Sequence, residues 1–219
     1  MPKYIDHEAR KAEVAAAVVR VAQGGLDAVT LRAVSKESGW STGSIAHYFP
    51  DKESLLEAAF ALITERSRRS LAKVLIDGDR DPILRLRDFL DAKTDNVAGQ
   101  PDVMVWFAFL GRALIDRELG GHQQEAYEAW VEMVRSVIEE AQAAGDIESD
   151  RDDTGYACLL LALVDGFFLQ QSFMRDYPPN HRDLARGALL ILATRQGRKK
   201  LLEAESAPAS APLGLIPIP

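Results

Sequence analysis

Residues 41–52 read STGSIAHYFPDK and crowd much reactive chemistry into three helical turns of a 219-residue chain. Ser41, Thr42 and Ser44 bring hydroxyls, His47 an imidazole, Tyr48 a phenol and Lys52 a cation, around the glycine at 43. A serine with a histidine could be a nucleophile and its base. That pair needs a third, orienting group and a set of oxyanion donors, and nothing local supplies either. A metal site needs further ligands at short spacing. The four histidines stand at 7, 47, 122 and 181, and Cys158 is the single cysteine, so no metal or cofactor is expected. Small hydroxyl residues beside a cation also suit a surface that meets nucleic acid, and this reading needs no missing partner.

The formal charge of −7 looks adverse to nucleic acid until it is divided along the chain. Residues 1–73 hold 11 Lys+Arg against 9 Asp+Glu, whereas the remainder holds 15 against 24. A near-neutral to basic front joined to an acidic back suits an anion-binding head on a body with another task. The lone cysteine excludes an internal disulfide and fits a reducing cytosol. The N-terminus carries early charges and no apolar stretch of the secretory kind, and Asp165-Gly166 interrupts the longest apolar run. A cytoplasmic protein without a membrane span is therefore expected.

The elements that must position residues 41–52 are helices. An alanine-rich first helix, about 6–23, ends at Gly24-Gly25. Thr30 caps a short second helix with Leu31, Val34 and Ser38 inward, and Gly39 closes it. Ser41 caps a third that Pro50 stops, and Asp51 caps a fourth running into the Arg66, Arg68 and Arg69 region. Further on, Pro82 and Pro101 open two helices, and a long one keeps Tyr127, Trp130, Val134, Val137 and Ala141 on one stripe. Residues 153–173 are apolar nearly all round and hence buried or paired, and a last helix, about 183–195, presents Leu184, Ala188, Ile191 and Leu192. No alternating strand pattern of useful length and no internal repeat is present.

Two short helices joined through Ser38-Gly39-Trp40 have helix-turn-helix spacing. In that geometry the second helix enters the major groove, and the small Thr42, Gly43 and Ser44 permit close approach. Ile45 and Phe49 face inward, His47 and Tyr48 flank the groove, and Arg32 can reach a guanine edge. The first turn of the fourth helix offers amide groups to the same phosphates.

The order Gly39, Ser41, Gly43, Ile45, Tyr48-Phe49, Lys52, Leu55-Leu56 within residues 9–63 resembles the DNA-binding domain of TetR-family repressors. The IAHYF variant and the landmarks VWFAFLGRAL, AQAAGDIESD and LLLALVDGFFLQQ resemble the BetI-like branch, repressors of choline-to-betaine genes. The resemblance implies that Arg32, Thr42, Gly43 and Ser44 read bases and that Ala46, His47, Tyr48 and Lys52 lie near phosphates. Most members carry tyrosine where this chain has Ala46. It further implies a homodimer through the last two long helices and a small-molecule pocket in the acidic body.

Candidate pocket residues are Trp106, Phe107, Phe109, His122, Tyr127, Trp130, Asp165, Phe167, Phe168 and Gln171. Aromatic stripes at helical spacing are more often core than ligand cage. Asp165 inside an apolar helix needs a partner, a helix N-terminus, Tyr or Arg before a ligand cation. Tryptophans with an aspartate would suit a cationic effector.

The resulting expectation is an all-α chain. Residues 1–50 form a three-helix helix-turn-helix domain, 51–197 a helical ligand-binding and dimerisation domain, and 198–219 a disordered or loosely docked tail. The function is a ligand-responsive repressor on a palindromic DNA operator, not an enzyme. The rival is a helical ligand-binding or adaptor protein that kept the shape without DNA binding. An enzyme using the aromatic residues is unsupported by any paired carboxylates or phosphate loop.

Overall fold

The computed structural model describes residues 7–76, 78–94, 101–150, 152–173 and 180–205. Among these the chain is helical, with one isolated bridge between Ile147 and Ala193. The helices are α1 (His7–Ala22), α2 (Leu31–Ser38), α3 (Thr42–Tyr48), α4 (Lys52–Leu75) and α5 (Pro82–Thr94). They continue as α6 (Pro101–Ala113), α7 (Arg117–Ala143), α8 (Asp153–Phe173), α9 (His181–Leu192) and α10 (Arg195–Glu205).

The chain forms two compact units. The first holds α1 to α3, α4 through Arg66, α6, and α7 through Gln123; the second holds α4 from Ser67, α5, α7 from Gln124, and α8 to α10. This division differs from the expected border after residue 50, because α6 packs on α1 and Phe109 of α6 meets Phe60 of α4 at 5.2 Å. The core of the first unit is Val14 and Val18 of α1, Val34 of α2, Ile45 of α3, and Leu55 and Ala59 of α4, all essentially inaccessible. Burying a side chain such as Ile45 contributes roughly 1.5–3 kcal/mol, enough to fix the seat of a seven-residue helix too short to persist alone.

In the second unit α5 packs on α8, α9 and α10. Its core is Ile83, Leu86, Phe89 and Leu90 of α5 with Val134, Val137, Ile138 and Ala141 of α7 and Leu160, Val164 and Leu189. Asp91 of α5 is bound by both Arg186 (Nε to Oδ1, 2.8 Å; Nη2 to Oδ2, 2.5 Å) and Arg182 (3.0 Å) of α9. Burial raises the Asp91 carboxyl, but the two guanidiniums outweigh it and hold the group below its ordinary range.

Two features depart from the sequence reading, and a third shows which way an apolar stripe faces. Helix α7 begins at Arg117, a turn and a half before the HQQE segment, because the Asp116 carboxylate caps it by accepting from the amides of Glu118 and Leu119. In α9 the stripe Leu184 and Ile191 points outward, at 48% and 77% exposure, while His181, Ala185 and Leu189 turn inward. Residues 198–205, expected in a disordered or loosely docked tail, belong to α10; residues 206–219 of that tail, and Asp6, lie outside the described residues. Helix α10 is held by chemistry remote in sequence. Lys200 Nζ bridges Asp81 and the fully buried Asp146, 2.6 Å to each. Gly197 lies so close to the Asp146 carbonyl that a Cβ there would meet it at 2.3 Å.

Candidate nucleic-acid interface and small-molecule sites

Thr30 caps α2, its Oγ1 accepting from the Ala33 amide at 3.2 Å, and Gly39 ends α2 in the left-handed region at φ 74°. Only glycine adopts that conformation at little cost, so it sets the sharp turn toward α3. Trp40 then pins the turn. Its indole donates to Glu13 of α1 at 3.2 Å, its carbonyl accepts from Ser35 Oγ at 2.5 Å, and the Arg10 guanidinium lies 4.5 Å from its ring centre. The sequence reading used Trp40 only as a turn residue. A large aromatic directly after the turn glycine is the signal for this anchor.

Ser41 caps α3, its Oγ accepting from the Ser44 amide at 3.1 Å. With Ile45 fully buried and Phe49 at 6% exposure, the opposite face of α3 turns out. Thr42, Gly43, Ala46 and His47 are exposed, Ser44 and Tyr48 half-buried, and Arg32 of α2 is exposed in the same unit. A Cβ added at Gly43 would meet nothing within 4 Å, so its missing side chain serves no packing within the chain. Several of these groups already have partners. The Ser44 hydroxyl bonds that of Ser41 at 2.8 Å, Tyr48 Oη bonds His7 Nδ1 at 2.7 Å, and Lys52 faces Asp27 at 3.8 Å. The first turn of α4 is less open to phosphate than its sequence suggests, because Asp51 Oδ1 takes the Ser54 amide at 2.8 Å.

The candidate pocket residues divide between the units. Trp106, Phe107, Phe109 and His122 belong to the first; Tyr127, Trp130, Asp165, Phe167, Phe168 and Gln171 belong to the second. Phe109, 1% exposed, is core, and Trp106 meets Phe107 edge-on at 5.2 Å. His122 lines a cleft of about 580 Å³ in the first unit, together with Tyr48, Glu57, Phe60 and Thr64. In the second unit the Tyr127 hydroxyl donates to the Asp165 carboxylate, Tyr127 meets Trp130 at 5.2 Å, and Gln171 Nε2 donates to the Thr94 carbonyl at 3.1 Å. Phe167 instead stacks edge-on against His181 at 5.1 Å.

Lys93 joins this second cluster without having been singled out from the sequence. It is 9% exposed, donates to Ser67 Oγ at 2.9 Å and stands 5.9 Å from the Phe168 ring centre. Burial pushes Asp165 up to about 6, with Lys93 opposing, and pushes Lys93 down to about 8, with Asp165 opposing. The carboxylate that suggested a ligand cation thus has a tyrosine bound to it and an ammonium of the protein's own in its field.

Among the described residues no group of three His, Cys, Asp or Glu side chains could hold a metal ion. Helix α8 is long and apolar enough to cross a membrane by length and composition, but Ala157, Leu160, Leu161, Val164 and Phe167 are buried within its own unit.

Residues 14–59 match the model for bacterial regulatory proteins of the tetR family, and residues 82–189 match that for the C-terminal domain of BetI-type transcriptional repressors. The HTH-type transcriptional regulator PksA of Bacillus subtilis is 28% identical over 77% of this chain and 82% of its own length. The regulator BetI of Burkholderia ambifaria is 32% identical over 54% of this chain, which spans only 62% of that relative. Among solved structures, a TetR transcription regulator from Haloarcula marismortui superposes with a TM-score of 0.75 at 22% identity, covering 85% of this chain and all of that one. A transcriptional regulator from Saccharomonospora viridis, solved in complex with choline, gives 0.66 at 22% identity over 86% and 99%. With a tetR-type reading head and a BetI-type body matched in order along one polypeptide, the chain belongs to the TetR family of transcriptional regulators.

Proposed function

We propose that this chain is a one-component repressor that binds a palindromic operator in the cytoplasm as a homodimer and leaves it when a small molecule binds. The single observation that carries the reading is the outward face of α3. It is a capped helix with small residues at its start, seated by Ile45 and Phe49 and exposed where a groove would meet it. Arg32, Thr42, Gly43 and Ser44 read base edges, and Ala46, His47, Tyr48 and Lys52 lie along phosphates. Lys52 exchanges its exposed partner Asp27 for a phosphate at little cost, since such surface pairs contribute about 0–1 kcal/mol. Residues 1–50 act as the reading head and 51–197 carry effector binding and dimerisation.

The dimer forms through α8 and α9. Leu159, Leu169 and Phe173 of α8 are 45%, 47% and 78% exposed, and Leu184 and Ile191 of α9 lie equally open, a covering that suits a second copy better than water. The effector is a small molecule taken among Tyr127, Trp130, Phe168, Gln171 and Asp165. The choline bound by the Saccharomonospora viridis regulator supports a cationic one. An effector releases DNA only through its unequal affinity for the two conformers, so operator DNA must weaken effector binding by the same factor.

Fluorescence anisotropy with DNA from the protein's own upstream region tests this reading. Selective, salt-dependent binding should fall in Arg32→Ala and Thr42→Ala, by about 1–3 kcal/mol each. Binding indifferent to both substitutions would overturn the assignment of α3.

A further inference from the structure

We infer that the first unit carries its own effector site, in the cleft beneath the end of α3, and that this site takes a primary or secondary organic ammonium. The inference rests on the repressor reading for its consequence but not for its binding chemistry. The cleft has a volume of about 580 Å³, within the range of small-molecule pockets. Phe49, Phe60 and Leu119 give it an apolar wall, and all three are nearly inaccessible.

Its polar members ask for a cation with N–H groups. Glu57 is half-buried, and among the described residues its carboxylate has no hydrogen-bond or ion-pair partner. Burial and the like charge of Glu118, with smaller repulsions from Asp51 and Asp116, push it upward, and only His122 opposes them. The nearby cations are engaged: Lys11 with Glu8 at 3.0 Å, and Arg112 with Glu53 at 3.0 Å. The Thr64 hydroxyl, buried on the same wall, has no hydrogen-bond partner and can accept from a donor. An ammonium N–H satisfies both groups; a quaternary ammonium satisfies only the charge. By contrast Asp165 of the second unit already holds the Tyr127 hydroxyl and has Lys93 in its field, so it leaves less unmet charge for an ammonium N–H than Glu57 does.

The cleft reaches α3 directly, because Tyr48 and Phe49 line it. Tyr48 also bonds His7 of α1, so a guest against the phenol disturbs the seating of the recognition helix at its own end. Such a site needs no message from the second unit.

Hexylamine is the probe, with choline and hexanol as comparisons, titrated calorimetrically into the full chain. Hexylamine should bind, hexanol should not, and choline should bind more weakly. Glu57→Gln should weaken hexylamine roughly tenfold, and Ala61→Phe, which fills the exposed mouth, should abolish binding; both variants should keep wild-type circular dichroism and operator affinity. Asp165→Asn should leave the hexylamine constant unchanged. Saturating amine should weaken operator binding about fivefold or more. Absence of hexylamine binding, indifference to Glu57→Gln in a folded variant, or loss in Asp165→Asn alone would each overturn the site. If the wild type shows no selective operator binding without amine, the repressor reading fails instead, and the calorimetry still decides the site.

Discussion

At the scale of single residues, charge location decides what each side chain can do. Lys52 is 38% exposed and its partner Asp27 fully so, which makes it available to phosphate without a structural debt. Lys52→Ala should therefore reduce the slope of log affinity against log salt by about 0.9 while changing stability by less than about 0.5 kcal/mol, checked by anisotropy and urea denaturation. Asp165 and Lys93 behave oppositely, since burial opposes the charge of each. The Asp165 carboxyl, raised from 3.8 to about 6, stabilises the fold fully below pH 3.8 and loses that contribution as pH rises through about 6. Lys93, lowered from 10.5 to about 8, contributes above 10.5 and loses it as pH falls through about 8. The pair is least favourable between those values. Comparing wild type with Asp165→Asn by urea denaturation at pH 4.5 and 7 should show a difference that grows by roughly 1–2 kcal/mol in favour of the variant at the higher pH. That is below the ~3 kcal/mol a two-unit shift would carry, because part of the side chain stays wet. An unchanged difference would mean that Asp165 is charged throughout. Asp165 was legible as an oddity because an acid inside an apolar run stands out. Lys93 was not, because a lysine late in an amphipathic helix reads as surface until the fold brings Ser67 and Phe168 to it.

At the scale of elements, what could be read locally was read. Thr30, Ser41 and Asp51 each cap the helix that follows within three residues, so their sequence neighbourhood holds the whole interaction. The second short helix ends at Gly39 for an equally local reason, and Gly39→Ala should cost about 1 kcal/mol or more in thermal or urea unfolding. Helix α10 escaped for the opposite reason. Its sequence, RQGRKKLLEAE, is polar and charged with a glycine in its first turn, and its stability lies in Asp81 and Asp146, 119 and 54 positions from Lys200. Lys200→Met leaves the buried Asp146 short of its ammonium, although Gln196 Nε2 still donates to it at 3.0 Å. The expected loss is about 3 kcal/mol of unfolding free energy, read by denaturant titration. A loss below about 0.5 kcal/mol would mean that α10 is only a surface addition. In α9 Leu184 and Ile191 form as regular an apolar stripe as Ala185 and Leu189. Periodicity identifies a stripe without saying whether its own chain or another copy covers it.

At the scale of the molecule, that uncovered stripe becomes the argument for assembly. Along α8 the exposed positions Gly155, Leu159, Ala162, Leu169 and Phe173, with the half-buried Gly166, recur at helical spacing and mix small residues with large apolar ones. Such a face admits another helix closely, and a two-fold axis through it would pair two reading heads on one operator. Two linked heads gain roughly 10²–10⁴ in affinity over one, because the second binds at the effective concentration that the first imposes. Ala162→Arg sets a long cation in the middle of this face without touching the buried side of α8. The variant should sediment as a monomer at concentrations where the wild type is a dimer. Its operator affinity should fall by at least about a hundredfold, with the helical circular dichroism retained. Ile76→Arg, at a 68% exposed position outside α8, controls for added charge and should change neither result. A dimer that survives Ala162→Arg would place the seam on another face. A monomer that kept full operator affinity would mean that a single head suffices, and the palindrome would then have no physical basis in this protein.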